Sequence, residues 1–228
     1  MTETLEPITP AEAKEMYLDA RRHEVSESTL SGYHYRLKHF VRWCVDIEGI
    51  DNMNTLSGRQ LQRFKTWRRD EGNLKPITLE GQLDALRVFL RWCESIDAVH
   101  EGLHDKIVMP VLKKQDEQAT TILEPEKASK LLDYLRRFNY ATRRHVILEI
   151  LWNTGIRLGS LLTLDVDDYD SDGEYLQLEH RPNTETPLKN GDEGERLVAI
   201  NADTCRAIED WITHNRHDVT DEFSREPL

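Results

Sequence analysis

Apolar residues recur at three- and four-residue steps through the first hundred residues, the pattern typical of amphipathic helices. One apolar stripe covers residues 30–44 and another covers residues 79–93. Two capping boxes, a Ser or Thr followed three residues later by Glu or Gln, indicate helix starts at Thr9 and Ser57. We therefore predict four helices, with caps at Thr9, Ser26, Ser57 and Thr78 and with the first and third ending near Arg22 and Gly72.

A short motif occurs twice in this helical part. Residues 37–50 read LKHFVRWCVDIEGI and residues 86–99 read LRVFLRWCESIDAV, so Phe and the triplet Arg-Trp-Cys recur at an offset of 49. Two copies are too few for a solenoid. The repeat instead predicts two similar helical hairpins packed as one four-helix unit, with Trp43 and Trp92 in equivalent places.

The pattern changes after residue 100. Residues 106–122 lack periodicity and predict a linker. Helical periodicity returns in residues 125–138 and 141–153, and alternation predicts strands at 175–179 and 196–200. Shorter local patterns predict the remaining features of this part of the chain. These are a helix end at Gly155, a short apolar helix at 158–164, an acidic loop at 165–173, a turn at 189–192, a helix cap at Asn201 and a polar tail at 217–228.

Length and composition bound the class of protein. The chain has 228 residues, enough for two modest domains, and 38% hydrophobic residues, enough for packed cores. No run of 18 apolar residues occurs, and the N-terminus has neither the basic nor the apolar region of a secretory signal. Cys44, Cys93 and Cys205 form no CxxC pair. We expect a cytoplasmic protein with no membrane partner and no disulfide framework.

The net charge of -12 argues at first against nucleic acid as a partner. The excess acid is uneven, because residues 1–100 hold 14 basic and 16 acidic side chains and the rest of the chain holds 16 and 26. Three windows, residues 28–45, 52–69 and 134–148, contain no acid. Basic windows in an acidic chain indicate contact with a specific anionic surface. Solvated helix faces paired with neighbouring acids explain the windows equally well.

The basic residues comprise 20 Arg and 10 Lys. Excess acid together with a preference for Arg resembles the composition of proteins from salt-loving archaea. In molar salt the Debye length is about 3 Å, so a large net charge causes little self-repulsion. Our hypothesis is therefore that the protein is halophilic.

The string HEGLH at residues 100–104 matches the zinc-protease pattern HExxH. That chemistry requires both His on one face of a regular helix, a Glu beside the metal-bound water and a third ligand. Gly102 interrupts the string and Pro110 follows it, which argues against a regular helix. We expect no metal site and no cofactor.

The segment NTGIRLGSLLTL at residues 153–164 carries the most informative polar side chain. Gly155 ends one helix, and Arg157 follows at the start of the next, among apolar neighbours. The fixed fork of donors on a guanidinium suits a phosphate. Alternatively, Arg157 satisfies the free carbonyls at the helix end, and both explanations stay open at this point.

With its continuation, this segment reads TGIRLGSLLTLDVDDYD and resembles the first catalytic box of the tyrosine recombinases, the phage integrase family. The family pattern is TGxRxxE, then Leu, then a D-x-D-like ending. LEPEKASKLLDYL at residues 123–135 is similar to the family's opening of the catalytic domain. TPLKNGDEGERLVAI at residues 186–200 is similar to its lysine hairpin. The four helices with two RWC motifs resemble its core-binding domain.

The resemblance implies a mainly α fold in two domains. Residues 9–105 would form a four-helix SAM-like core-binding domain, 106–122 a linker, and 123–228 the first part of an incomplete α+β catalytic domain with a small antiparallel sheet. Family members clamp duplex DNA between the two domains, and a tyrosine attacks the scissile phosphate without a metal or cofactor. We therefore expect double-stranded DNA as the partner, bound by a homo-oligomer.

The same resemblance implies roles for individual residues. Arg157 matches the first catalytic arginine, which would stabilise charge on the phosphorane. Lys189 matches the hairpin lysine, which would protonate the leaving 5′ oxygen, and an ordinary solvated turn residue is the alternative. The basic windows would supply backbone contacts that position the protein without reading sequence. These predicted DNA contacts are Arg36, Lys38, Arg42, Arg59, Arg63, Arg68, Arg69, Arg143 and Arg144.

The sequence also departs from the family pattern. Ser160 stands where the family has an acid, no HxxR motif follows Arg157, and the later tyrosines, Tyr169 and Tyr175, come too early to be the nucleophile. The resemblance therefore implies site-specific recombination or integration. This chain alone is predicted not to cleave DNA, and it is either a fragment or a natural short form. The alternatives are a non-cleaving DNA-binding regulator derived from a recombinase, and a helical protein whose basic windows only pair with acids.

Overall fold

The computed structural model describes residues 5–114, 116 and 122–228, and the chain divides into two compact units, Met1–Thr120 and Thr121–Leu228. Part of the predicted linker, residues 115 and 117–121, lies outside the described residues. The start of that linker belongs to the first unit, because Ile107 is buried there and Arg87 donates to its carbonyl at 3.2 Å.

Four α-helices build the described part of the first unit. They are α1 (Pro10–Arg21), α2 (Glu27–Arg42), α3 (Gly58–Gly72) and α4 (Pro76–Ser95). A π-helical turn, Trp43–Glu48, continues α2. This is the four-helix unit that the apolar periodicity predicts.

Local hydrogen bonds set the helix starts. Thr9 and Glu12 form the predicted capping box of α1, with Glu12 N–H donating to Thr9 Oγ1 at 3.2 Å. At α3, Ser57 N–H donates to Gln60 Oε1 at 2.9 Å. The prediction was wrong at α4, which begins at Pro76 rather than after Thr78. Proline has the fixed φ of a first helical residue and no N–H to leave unpaired, so it starts the helix earlier.

The repeated motif marks one aromatic core. Phe40 and Phe89, at equivalent positions of the two copies, are both buried, and their ring centroids lie 6.3 Å apart. Phe64 of α3 packs edge-on against Phe40 at 5.4 Å. The two tryptophans of the motif differ in burial: Trp43, in the π-helical turn, is fully buried, whereas Trp92 is only partly buried.

The second unit combines helices with a small sheet. Its helices are α5 (Pro125–Phe138), α6 (Arg143–Thr154), α7 (Leu158–Leu162) and α8 (Ala202–Asp210), and its strands are β1 (Tyr169–Asp170), β2 (Tyr175–Leu178) and β3 (Arg196–Ala199). The sheet is antiparallel in the order β1-β2-β3, with Leu176 opposite Val198. Leu176 and Leu178 point into the core and are fully buried, as the alternation predicts.

The mainly α fold with a small antiparallel sheet is therefore confirmed. The acidic loop at 165–173 is more ordered than predicted, since it contains a 3₁₀ turn, Val166–Asp168, and then β1. Within the described part of the chain, no helix combines the length and apolar character needed to cross a membrane.

The end of the chain folds back onto the second unit. The sequence predicts only a polar tail at 217–228. In the structure, Leu228 N–H donates to the Leu164 carbonyl at 3.0 Å, and Val166 N–H donates to the Glu226 carbonyl at 2.9 Å. Arg225 is buried against Asp165, with its Nη2 2.6 Å from Oδ1. The tail thus packs beside the segment that follows α7.

Candidate nucleic-acid interface

Arg157 lies directly after a left-handed helix end. Gly155 has φ +64°, a conformation that glycine adopts without steric cost, and its N–H donates to the Leu151 carbonyl. Arg157 then caps α7 with extended backbone angles, and its side chain is exposed. No residue in the described ranges makes a hydrogen bond or ion pair with its guanidinium.

The carbonyls at the end of α6 accept from Gly155 N–H and from side chains of the helix itself, and none of these bonds comes from this arginine. Asn153 Nδ2 donates to the Glu149 carbonyl at 2.9 Å, and Thr154 Oγ1 donates to the Ile150 carbonyl at 2.6 Å. The structure therefore does not support the explanation that Arg157 caps free carbonyls at the helix end. A five-donor cation at the surface, without a partner in the part of the chain that the structure describes, is available to an external anion.

Lys189 is also exposed, in the turn between β2 and β3, and has no hydrogen-bond or ion-pair partner among the described residues. The preceding Leu188 is buried and fixes the start of the turn. Leu188 N–H donates to His180 Nδ1 at 2.9 Å, which holds the two arms of the hairpin together. The structure gives Lys189 no structural task, so both explanations of this residue remain predictions.

One arginine joins the hairpin to α7. Arg181 follows β2, and its guanidinium lies 2.5 and 2.8 Å from the two carboxylate oxygens of the buried Asp168. It also donates to the Thr163 carbonyl just after α7 at 3.3 Å. The hydrogen bonds that Arg181 donates to the Asp168 carboxylate raise the pKa of Arg181, since they favour its charged form. The elements that carry Arg157 and Lys189 are therefore tied together.

Two acids of the LDVDDYD segment, Asp165 and Asp168, have structural roles. Asp168 Oδ2 accepts from Asp165 N–H at 2.8 Å, and Asp165 in turn pairs with Arg225. Sequence reasoning missed Arg181, Arg225 and the Arg136–Glu149 pair described below. Their partners are 13 to 60 residues away, and no local pattern indicates such pairing.

The predicted DNA contacts divide into three groups by their surroundings. Some are exposed and have no carboxylate partner in the part of the chain that the structure describes, some pair with carboxylates, and one is buried. The first group is Arg36, Lys38, Arg59, Arg143 and Arg144, and the second is Arg42 with Glu71, Arg63 with Glu48 and Arg69 with Asp70.

Arg68 forms the third group and is a correction. Its side chain is buried, and Nε donates to Gln82 Oε1 of α4 at 2.7 Å. Burial lowers the pKa of Arg68, and its guanidinium fills the space beside Gly72. Arg68 therefore joins α3 to α4 and is not available as an exposed phosphate contact.

Positive side chains converge beside α2. Burial lowers the pKa of His39, and the nearby charges of Arg68, Lys38 and Arg42 lower it further. The carboxylate of Glu71 acts in the opposite direction and raises the pKa of His39.

An ion pair with one buried partner supports the arginines of α6. Arg136 Nε donates to Glu149 Oε1 at 2.9 Å and joins α5 to α6, although Glu149 is almost fully buried. Ala141 N–H donates to His145 Nδ1 at 3.1 Å, which places the ring proton on Nε2. Burial lowers the pKa of His145. The Arg136–Glu149 pair thus fixes α6, the helix that begins with Arg143 and leads to Arg157.

The HEGLH string has a structural explanation. His104 lies in a short 3₁₀ turn, and its Nδ1 is 2.8 Å from the Glu94 carboxylate at the end of α4. In the described ranges, no three His, Cys, Asp or Glu side chains come together in a way that could hold a metal ion. The string therefore links α4 to the following turn.

The tyrosines after Arg157 are both engaged. Tyr169 O–H donates to the Cys205 carbonyl and to Glu209, both at 3.3 Å, and burial raises its pKa. A hydrogen bond to Asp170 raises the pKa of Tyr175. Raised pKa values disfavour the phenolate that a nucleophile needs.

Two family models match consecutive parts of the chain. The model "Phage integrase, N-terminal SAM-like domain" matches residues 16–95, and "Phage integrase family" matches residues 121–224. The chain belongs to the phage integrase family, the tyrosine recombinases.

Within that family the chain is similar to XerC and XerD proteins. It is 30% identical to tyrosine recombinase XerC of Pseudomonas putida over 158 residues, which cover 68% of this chain and 50% of the relative. It is 23% identical to tyrosine recombinase XerD of Oceanobacillus iheyensis, over 89% of this chain and 63% of the relative. The chain thus spans one half to less than two thirds of these relatives.

A solved structure shares the fold. The structure of a lambda integrase dimer bound to a COC′ core site superimposes with a TM-score of 0.69 and 14% sequence identity. The likeness covers 98% of this chain and 60% of that chain. At this level of identity the likeness concerns the fold alone.

Proposed function

We propose that this chain takes part in site-specific DNA recombination or integration, and that it does so by binding duplex DNA. The observation that carries the proposal is Arg157, an exposed arginine without a partner among the described residues, in the TGxR segment of a phage integrase family member. The names of its relatives, tyrosine recombinases, and the DNA-bound lambda integrase of the same fold support it.

In this proposal Arg157 contacts the scissile phosphate. Its guanidinium can donate two parallel hydrogen bonds to phosphate oxygens and stabilise the charge that develops on them. Lys189 has an ammonium without a partner among the described residues, in a turn tied to the same region through Arg181, and it would donate a proton to the leaving 5′ oxygen. Neither role requires a metal or another cofactor.

The backbone contacts come first from the exposed cations that lack a carboxylate partner within the described ranges. These are Arg36, Lys38 and Arg59 in the first unit and Arg143 and Arg144 at the start of α6. Such contacts supply affinity and register but no sequence specificity. Binding by a homo-oligomer is part of the proposal, and light scattering of the protein with and without duplex DNA tests it.

We further propose that these 228 residues bind DNA without cleaving it. Tyr169 and Tyr175 are the tyrosines that follow Arg157, and both use their hydroxyls in hydrogen bonds that disfavour the phenolate.

Two assays test the proposal. A nicked suicide duplex that traps covalent adducts should yield none with this chain, and an adduct would contradict the proposed absence of cleavage. Binding to duplex DNA, followed against KCl concentration, should give a linear fall of log K with log salt. No binding to any duplex at low salt would refute DNA binding.

A matched pair of variants tests Arg157. Arg157→Gln should weaken binding to a duplex that contains the target site by roughly 10- to 150-fold, because a hydrogen bond to a charged group is worth about 1.5–3 kcal/mol. The control is Arg206→Gln, which removes an exposed arginine that pairs with Asp203 on α8 and is not a predicted contact. Equal affinities of the two variants would contradict the assignment.

A further inference from the structure

Two ion pairs join α2 and its π-helical turn to α3. Arg42 of α2 pairs with Glu71 at the end of α3, and Arg63 of α3 pairs with Glu48 of the turn. Each pair thus links a predicted DNA contact to a carboxylate that lies just outside the acid-free windows. The sequence hides this pairing, because the partners are 29 and 15 residues apart.

The pair of Arg42 and Glu71 faces solvent. The two side chains are 47% and 43% exposed, so a phosphate can approach the guanidinium. Trp67 supports Arg42 from another side, with Cζ 5.1 Å from the ring centroid. A guanidinium over a tryptophan ring is held by the π electrons, and this contact does not depend on Glu71. Arg42 therefore keeps an anchor if the carboxylate leaves.

Other cations on the same helices have no carboxylate partner within the described residues. Arg36 and Arg59 have no partner in the described part of the chain, and Lys38 lies over the ring of Tyr35 at 5.5 Å without a carboxylate. The first unit therefore contains free cations and carboxylate-paired cations on the same helices, α2 and α3. These two kinds of contact respond differently to salt.

We propose that Glu71 and Glu48 act as internal substitutes for phosphate, which occupy Arg42 and Arg63 in the free protein and are displaced when DNA binds. This inference rests on the proposed DNA binding. An arginine that pairs with a carboxylate adds no net positive charge to the surface. When phosphate displaces that carboxylate, the carboxylate keeps a salt cation near the DNA. Each such contact therefore releases fewer counterions in total, and binding loses less affinity as salt rises.

The competing explanation is that both pairs only hold α2 against α3. In that case, neutralising either carboxylate would lower the thermal midpoint of the protein and leave the salt dependence of DNA binding unchanged. The two explanations thus differ in a measurable slope.

The experiment compares Glu71→Gln and Glu48→Gln in the full 228-residue chain, with a fluorescent duplex titrated at several KCl concentrations. Each substitution should steepen the slope of log K against log salt by up to about 0.9, the change for one additional phosphate neutralised. For Glu71→Gln, affinity at 0.1 M KCl should rise about fivefold, which corresponds to ~1 kcal/mol for an exposed ion pair.

The control is Asp19→Asn, which changes the net charge equally. Asp19 pairs with Arg22 on α1, and neither residue is a predicted contact. This variant should keep the slope of the original protein. In the double variant Arg42→Gln/Glu71→Gln, the gain from losing the carboxylate should vanish because the freed cation is absent.

The outcomes separate the two levels of the proposal. If the original protein binds DNA and both Glu→Gln variants keep its slope, the inference is overturned and DNA binding stands. The inference is also overturned, and DNA binding stands, if the only change in the two variants is a lowered thermal midpoint. If neither the original protein nor the variants bind any duplex, the proposed function fails and the inference fails with it.

Discussion

Replacing Arg136 with Met tests how the second unit positions its arginines. The substitution removes the cation from the pair with Glu149, which is 1% exposed, and leaves a buried carboxylate beside the neutral His145. Leaving one charge of a buried pair without its partner costs about 3–5 kcal/mol. Because the Arg136 side chain is 38% exposed, we expect the lower end, about 3 kcal/mol. That is a large fraction of the stability of a small domain.

The measurement is urea unfolding combined with hydrogen exchange. Peptides from α6 should exchange faster in Arg136→Met, whereas peptides from α2 should exchange as before, because the pair lies within the second unit. Affinity for duplex DNA should fall as well, because α6 begins with Arg143 and leads to Arg157.

Arg137→Met is the matched control. Arg137 is adjacent and exposed, and it has no partner in the described ranges, so its loss should change stability by no more than about 0.5 kcal/mol. If Arg136→Met and Arg137→Met unfold at the same urea concentration, the ion pair does not stabilise the second unit and the reasoning is refuted.

Three further predictions follow from the surroundings of single groups. Burial lowers the pKa of His145, so the contribution of this residue to stability is present above about pH 6.5 and is lost as pH falls below it. The midpoint of urea unfolding, measured from pH 5 to 8, should show this loss. In His145→Gln, the midpoint should depend less on pH. Arg225→Met removes the pairing of Asp165, so the amide of Val166 should exchange faster in deuterated buffer than in an Arg206→Met control, whose arginine pairs with Asp203 on α8. Equal rates in the two variants would contradict the role of Arg225 in holding the tail. If the protein is halophilic, its thermal midpoint should rise between dilute buffer and molar KCl, and an unchanged midpoint would remove that hypothesis.

Much of the fold follows from the sequence because the interactions that set it are local. The capping boxes at Thr9 and Ser57 join residues three apart, and the turn at Gly155 requires a left-handed φ that glycine supplies without strain. Apolar periodicity gives α5 its bounds, since one face of this helix must be buried. The TGxR segment, and with it Arg157, is a contiguous pattern that can be read directly.

The sequence by itself therefore determined the helices, the order of the elements and the family's arginine, whereas the tertiary structure decided which cations are free. Arg157 is unpaired within the described residues, Arg68 is buried and Arg42 is bound to Glu71. The physical reason is distance along the chain. A window without acid in the sequence can meet acid in space, because helix packing brings together residues that are far apart in the chain.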